Sequence, residues 1–255
     1  MSRSGFMQTM LAMILGIGLA SNPLAAASPD FNGVWLYAGA HMPAQAASDL
    51  FEAEREWPPG GTPQLQEPYA TELQELKKKQ KEAEESGKPL ADAYSQCIPN
   101  GMPMMMGTVL PLEILQTREK VVVIAEELSQ VRRIYLDERL PALEGLVPNY
   151  NGYSVGHWEG DTLVVVTHGV REDARWNDVP HTLAMTVTER LRLKAPDELE
   201  NRITIDDPSI LARPHSFTLE YKRDPSHRLE EYICENNRYE TGADNEQHLQ
   251  IEPSR

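Results

Sequence analysis

Residues 182–193 alternate in the manner of a half-buried strand, and one acidic residue lies on the apolar side. That side consists of every second residue: Leu183, Met185, Val187, Glu189, Leu191 and Leu193. Since alternate residues of a strand point to opposite faces, Glu189 is predicted to face the core. His181 has the same parity at the start of the stretch. Glu189 and His181 are therefore the candidate catalytic residues, acting as general acid or base.

The next stretch, residues 199–207, also carries a polar residue, Asn201, in an otherwise apolar row. If the two strands pair through the turn at residues 195–197, Asn201 comes near Glu189. The other candidate binding residues are polar or aromatic side chains on strands or at strand ends: Arg133, Tyr135, His157, His168 and His215. A buried carboxylate needs a partner, and Arg133 is the arginine expected to supply it if Glu189 is structural.

These histidines and carboxylates are also possible metal ligands, although their spacing matches no common metal signature. The chain has no Gly-x-Ser-x-Gly elbow, phosphate loop or dinucleotide fingerprint, so nucleophile, phosphate-transfer and Rossmann functions lack support. We predict no cofactor, and a metal ion is not excluded. The cluster Met102, Met104, Met105 and Met106 offers thioether ligands for Cu(I), but flexible packing or a lid over a barrel mouth is favoured.

The elements that position these residues are mostly short β-strands. Residues 68–86 are rich in helix formers and predict one surface helix, which ends before Gly87 and Pro89. After residue 110, runs of branched and aromatic residues separated by turn signals predict strands at 112–116, 121–125, 131–136, 153–158, 163–167, 183–193, 199–205, 217–221 and 229–234. No crossover helices separate the later strands. This pattern predicts an all-β, mainly antiparallel fold, either a barrel or a sandwich of about ten strands, with the helix inserted after the first strand.

The first 27 residues are typical of a secretory signal peptide. Arg3 precedes the apolar run at residues 10–19, and Ala25, Ala26 and Ala27 supply small residues before a cleavage site. Cleavage near Ala27 leaves residues 28–255 as one barrel domain with a helical and irregular insertion at about 39–111. We therefore expect a periplasmic or secreted protein with no membrane span after cleavage. In an oxidising compartment Cys97 and Cys234 are expected to form a disulfide, with a thiolate metal site as the alternative.

The chain is acidic, with 24 Lys and Arg against 39 Asp and Glu and a net charge of −15, which becomes −16 without Arg3. A strongly acidic surface repels phosphate groups, so nucleic acid is not an expected partner, and neither is anionic lipid.

Two resemblances bear on the fold. Gly33-Val34-Trp35, on the first predicted strand, resembles the Gly-x-Trp opening of lipocalin-like (calycin) barrels. Together with the strand count, this resemblance implies a lipocalin-like β-barrel of about 8–10 strands with an inserted surface helix. A larger part of the chain resembles an uncharacterised family of secreted bacterial proteins, at residues 30–35, 97–105, 130–137, 154–165, 204–208 and 234–237. The second resemblance implies export but brings almost no function with it.

The function favoured by these observations is a periplasmic binding or carrier protein that holds a small hydrophobic or aromatic molecule in a barrel pocket. One alternative is a cofactor-independent lyase, isomerase or hydrolase that uses the Glu189 and His181 pair. The other is an envelope metal-handling or interaction protein. The ligand, the pathway and the oligomeric state are left open.

Overall fold

Nine strands follow one another around a closed barrel in chain order. The computed structural model describes residues 28–38, 61–88, 90, 96–174, 176, 178–234, 239–241 and 247–249. The predicted signal peptide and much of the predicted insertion lie outside the described residues. The strands are β1 Gly33–Tyr37, β2 Leu112–Gln116, β3 Lys120–Ala125, β4 Gln130–Leu136, β5 Tyr153–Glu159, β6 Thr162–His168, β7 Thr186–Ala195, β8 Glu198–Asp206 and β9 His215–Arg223.

A separate two-stranded antiparallel sheet follows the barrel. It consists of β10, Tyr239–Thr241, and β11, Gln247–Leu249. The all-β class and the lipocalin-like barrel with an inserted helix are confirmed.

Eight of the nine strand pairs of the barrel are antiparallel, and β9 closes onto β1. The exception is β4 with β5, which run parallel over three residue pairs from Ile134↔Ser154 to Leu136↔Gly156. A strictly alternating ring cannot close with an odd number of strands, so one parallel pair is required. Residues 137–152 supply it by carrying the chain back to the opposite end of the barrel. The prediction of a mainly antiparallel barrel is confirmed, and this pair is its one parallel exception.

The inserted helix α1 is Tyr69–Glu85, close to the predicted span. Its sequence is dominated by Glu, Lys, Gln and Ala, which have high helix propensity. Leu73 is its buried residue, and Gln80 donates a hydrogen bond to the carboxylate of Asp178 at 3.1 Å. The helix therefore lies against the connection between β6 and β7. In the described part of the chain, no helix is long and apolar enough to cross a membrane.

The two ends of the barrel differ. At the turn end, short connections at residues 117–119, 160–161 and 196–197 join successive strands. Phe31 is fully buried at this end, where its ring lies 5.3 Å from that of Trp158 and its N–H bonds to Gln116 Oε1 at 2.9 Å. The opposite end, the loop end, receives the longer connections before β2, β7 and β9.

Arg223 fastens the seam between β1 and β9. Its guanidinium lies 4.4 Å from the Trp35 ring centroid, which is a cation–π contact. The same group donates hydrogen bonds to the backbone oxygens of Asp30, at 2.8 Å, and Asn32. The first and last strands are thus joined by side-chain contacts in addition to their ladder.

The methionine segment, residues 102–106, covers part of the loop end. Met102, Met105 and Met106 are buried and belong to the hydrophobic core. Met102 N–H bonds to Tyr150 O at 2.9 Å. Gly101 precedes the segment with φ of +65°, and a Cβ at that position would lie 2.2 Å from Tyr150 O, so no larger residue fits.

Two predicted strands differ from the structure. The seventh strand begins at Thr186, because residues 182–185 form a turn closed by a hydrogen bond from Met185 N–H to Thr182 O at 3.0 Å. Leu183 is consequently 38% exposed. The predicted strand at residues 229–234 is wrong, since those residues are irregular. Closure of β9 onto β1 leaves no free barrel edge for another strand.

Cys97 and Cys234 form the expected disulfide, with their Cα atoms 5.7 Å apart. The bridge ties the residues before the methionine segment to the chain beyond β9.

Replacing both cysteines by serine is expected to lower the free energy of unfolding by about 5 kcal/mol, because the bridge closes a loop of 137 residues. Urea unfolding of the oxidised protein and of the Cys97→Ser/Cys234→Ser variant measures the difference. Reductant should destabilise the wild type and leave the variant unchanged. Equal stability of the two proteins would contradict the prediction.

Candidate functional site

A chain of polar side chains runs along the inner wall of the barrel, across five consecutive strands. Each member has inward parity on its strand and is at most 2% exposed. The members, from β4 to β8, are Arg132, Ser154, Thr167, Glu189 and Asn201. We call this set the interior network.

Arg132 begins the interior network and reaches past two strands to Glu189. Its Nε donates to Ser154 Oγ at 3.1 Å, and its Nη2 donates to Thr167 Oγ1 at 2.8 Å and to Glu189 Oε2. Ser154 and Thr167 are direct partners in the β5–β6 ladder, and their hydroxyls lie 2.8 Å apart. The guanidinium is therefore held in one orientation by three side chains.

Asn201 completes the coordination of Glu189. Its Nδ2 donates to Glu189 Oε1 at 2.9 Å, so both carboxylate oxygens accept a hydrogen bond. The ladder pairs Asn201 with Leu191, two residues along β7 from Glu189, which places the amide diagonally opposite the carboxylate. The predicted proximity of Asn201 and Glu189 is confirmed.

Tyr221 on β9 links the interior network to the methionine segment. Burial raises the pKa of Tyr221 well above its ordinary value, and the nearby charge of Glu189 raises it further. The phenol is thus a hydrogen-bond donor, and it donates to Met106 O at 2.7 Å.

Two buried atoms of the interior network have no hydrogen-bond partner among the described residues, Arg132 Nη1 and Asn201 Oδ1. The hydroxyl of Tyr221 does not serve Asn201 Oδ1, because its single hydrogen is directed to Met106 O. Buried polar atoms in proteins are nearly always paired, so these two atoms are exceptions within a network whose other polar atoms are bonded.

The partner of Glu189 is Arg132, and the expectation of Arg133 is wrong. On β4, Gln130, Arg132, Ile134 and Leu136 alternate inward, whereas Arg133 is exposed on the outer surface. Tyr135 also faces outward and is 38% exposed. The sequence could have identified Arg132 as the inward arginine, because Arg132 has the same parity on the strand as the apolar Ile134 and Leu136.

His181 is buried but is not brought together with Glu189. Its Nε2 lies 2.8 Å from Ala174 O and its Nδ1 lies 3.1 Å from Thr182 O. Both ring nitrogens thus face backbone carbonyls of the β6–β7 connection, and the imidazole shares no hydrogen-bond partner with the interior network. The geometry does not assemble the predicted acid–base pair.

The other predicted histidines also lie outside the interior network. His157 is exposed and lies 3.2 Å from Glu159 Oε1. His168 ends β6 at the loop end, where burial lowers its pKa and a backbone hydrogen bond with Pro141 partly opposes the effect. His215 begins β9, with its ring 5.6 Å from that of Trp176, and burial lowers its pKa as well.

Across the residues that the structure describes, no group of three or more His, Cys, Asp or Glu side chains is placed to hold a metal ion.

An open surface depression of about 550 Å³ lies at the turn end, lined by Asp30, Leu193, Ala195, Pro196 and Arg223. The depression is bounded by the β7–β8 turn and does not include any member of the interior network.

The chain matches no protein-family model and no curated protein.

Glu189→Gln is expected to lower the free energy of unfolding by about 3–5 kcal/mol, because it leaves Arg132 as a buried charge without a counter-ion. Glu220→Gln is the matched control, since Glu220 forms an exposed ion pair with Lys194 and should cost about 1 kcal/mol or less. Urea unfolding measures both. A loss for Glu189→Gln as small as that for the control would show that the buried pair is not required for stability.

The half-buried His215 is expected to lower the free energy of unfolding as the pH drops below the ordinary imidazole pKa of 6.5. Burial lowers the native-state pKa of His215, so the unfolded chain takes up a proton at a pH where the native protein does not. His215→Phe removes this proton uptake, and the variant should gain stability relative to wild type between pH 7 and pH 5. Thermal unfolding over this range measures the difference, with Tyr135→Phe on the outer surface as control. Parallel curves for wild type and His215→Phe would refute the assignment.

Proposed function

We propose that this protein is an extracytoplasmic binding or carrier protein that holds a small molecule inside its barrel, at the interior network. The observation that supports this most directly is the pair of unpartnered atoms, Arg132 Nη1 and Asn201 Oδ1, in a network whose other atoms are well bonded. A ligand that bonds to both atoms completes the network. Small-molecule sites commonly combine apolar walls with a few fixed polar groups, which is the composition found here.

Binding is favoured over catalysis by the state of Glu189. Its two oxygens already accept hydrogen bonds from Arg132 and Asn201, and the side chain is fully buried, so the carboxylate is engaged within the protein. The second member of the predicted acid–base pair, His181, is bonded to backbone carbonyls at the loop end.

The loop end is the proposed entrance. The methionine segment lies there, and Tyr221 connects Met106 directly to the interior network. Methionine side chains are flexible and polarizable, so they adapt to apolar ligands of different shapes. The turn end is less suitable, because short turns and the buried Phe31 close it.

The proposed location is the periplasm or the exterior of the cell. The Cys97–Cys234 disulfide is of the kind that persists in oxidising compartments, and the first 27 residues have the order of a signal peptide. A carrier in such a compartment meets small molecules that have crossed or are about to cross an envelope.

Native mass spectrometry of protein purified from a periplasm is expected to show a mass above the denatured mass, because the ligand is retained in the folded state. The double variant Arg132→Gln/Glu189→Gln should lose this excess, since it removes both charges while keeping the interior neutral. The matched control is Arg133→Gln/Glu220→Gln, which makes the same chemical change on the outer surface and should retain it.

Circular dichroism establishes that each variant is folded before its mass is compared. Equal native and denatured masses for the wild type would contradict the proposed function. An excess that survives in the folded Arg132→Gln/Glu189→Gln variant would place the ligand elsewhere.

A further inference from the structure

We propose that the outer surface of strands β2, β3 and β4 is the interface at which two copies of this chain associate about a two-fold axis. The surface consists of outward residues of the three strands: Glu113, Leu115, Val122, Ile124, Val131 and Arg133. We call this set the outer apolar face. It lies on the outside of the barrel, so the inference goes beyond the proposed ligand-binding function and does not depend on it.

Large apolar side chains are exposed on this part of the barrel wall. Leu115 is 42% exposed and Val131 is 40% exposed, and Tyr135, next along β4, is exposed as well. The other exposed large apolar residues of the described chain lie in connections or beyond β9: Val109, Val147, Leu183 and Ile233. Exposed apolar surface that is concentrated in one place is typical of an interaction site.

The wall formed by β7, β8 and β9 has a different outer surface. Its outward residues are charged or carry hydroxyl groups, and several of its charges form exposed ion pairs, as Lys194 does with Glu220. On the outer apolar face, the side chains of Glu113 and Arg133 form no hydrogen bond or ion pair within the described part of the chain. Both charges are therefore available to a partner.

The strand register arranges the outer apolar face in two rows across the three strands. The rows are Glu113–Ile124–Val131 and Leu115–Val122–Arg133. Glu113 and Arg133 therefore occupy opposite corners of a rectangle, and Leu115 and Val131 occupy the other two corners. From the spacing of strands and residues in a sheet, the Cα atoms of the two charged residues lie about 12 Å apart, which is too far for them to pair within one copy.

This arrangement is complementary to itself. A two-fold axis that lies in the interface along the diagonal from Leu115 to Val131 exchanges the other two corners, so Glu113 of each copy faces Arg133 of the other. Two ion pairs form, and the apolar residues near the axis contact their own counterparts. The strands of the two copies cross at a large angle, near that of orthogonal sheet packing. A different partner would not require opposite charges at opposite corners.

The overall charge of the chain also favours this face. Each copy carries a net charge of −15, so two copies repel each other unless they meet at a surface that is not acidic. The outward residues of β2, β3 and β4 include one acidic residue, Glu113, and two basic residues, Arg133 and Lys120. The same net charge disfavours contact of this face with an anionic membrane.

Sedimentation velocity of disulfide-bonded protein, from about 1 to 100 μM, is expected to show a monomer–dimer equilibrium. Glu113→Arg should raise the dimer dissociation constant about a hundredfold, because like charges then meet at two contacts, and Arg133→Glu should do the same. The double variant Glu113→Arg/Arg133→Glu restores opposite charges across the axis and should return the constant close to the wild-type value. Arg202→Glu, a charge reversal on the outer face of β8, is the matched control and should leave the constant unchanged.

Three outcomes of this experiment would overturn the inference. The first is a wild type that stays monomeric over the whole concentration range. The second is a dimer that neither single reversal weakens, which would place the interface elsewhere. The third is a folded double variant that associates as weakly as the single variants, because the two charges would then not face each other across an axis.

A cross-link reports the position of the axis without changing the charges. Leu115→Cys places a thiol near the axis in each copy, so a short bismaleimide should join two copies of this variant. Leu183→Cys, which exposes a thiol on the connection between β6 and β7, should not be joined under the same conditions. A Leu115→Cys protein that forms dimers but is cross-linked no better than Leu183→Cys would overturn the proposed axis.

Discussion

The buried ion pair of Arg132 and Glu189 is the constraint around which the barrel interior is arranged. Removing two charges from water costs several kcal/mol per ion, and their attraction offsets this only when the remaining donors and acceptors are also bonded. Ser154 and Thr167 accept hydrogen bonds from Nε and Nη2 of Arg132, and Asn201 donates to the second carboxylate oxygen. Apolar side chains at these positions would pack as well but would leave the charges unsatisfied, which explains why polar residues occur at inward positions of strands that are otherwise apolar.

Tyr221 connects the surroundings of the buried ion pair with the loop end of the barrel. Tyr221 lies close enough to Glu189 for the carboxylate charge to raise its pKa, and its hydroxyl reaches the backbone of Met106. Tyr221 is thus the side chain that lies between the interior network and the methionine segment. The segment is anchored elsewhere by Met102 N–H on Tyr150 O and by the disulfide at Cys97. The start of the segment is therefore held by a backbone hydrogen bond and the nearby disulfide, and its end is held by the hydroxyl of Tyr221.

The parts of the structure that the sequence predicts are those with strong local signals. The alternation around Glu189 identifies its inward direction, and the same rule places Asn201 correctly. The arginine that faces Glu189 was missed because Arg132 and Arg133 are adjacent, and which of them turns inward depends on the parity of Ile134. The unpaired atoms and the position of His181 depend on how distant strands and loops meet, which no local pattern reports. The parallel β4–β5 pair likewise follows from closure of the whole ring.

That parallel pair divides the chain into two halves, β1–β4 and β5–β9. The second half contains only antiparallel pairings between strands that are consecutive in the chain, so its contacts are more local in sequence than those that close the ring. The first half has the long connection before β2, and it joins the second at the β1–β9 and β4–β5 seams. Arg132 belongs to the first half and Glu189 to the second, so the ion pair forms only when the two halves are in contact. Docking in a shifted register would bury them apart, at a cost of several kcal/mol. The barrel therefore closes in the register that lets the charges meet.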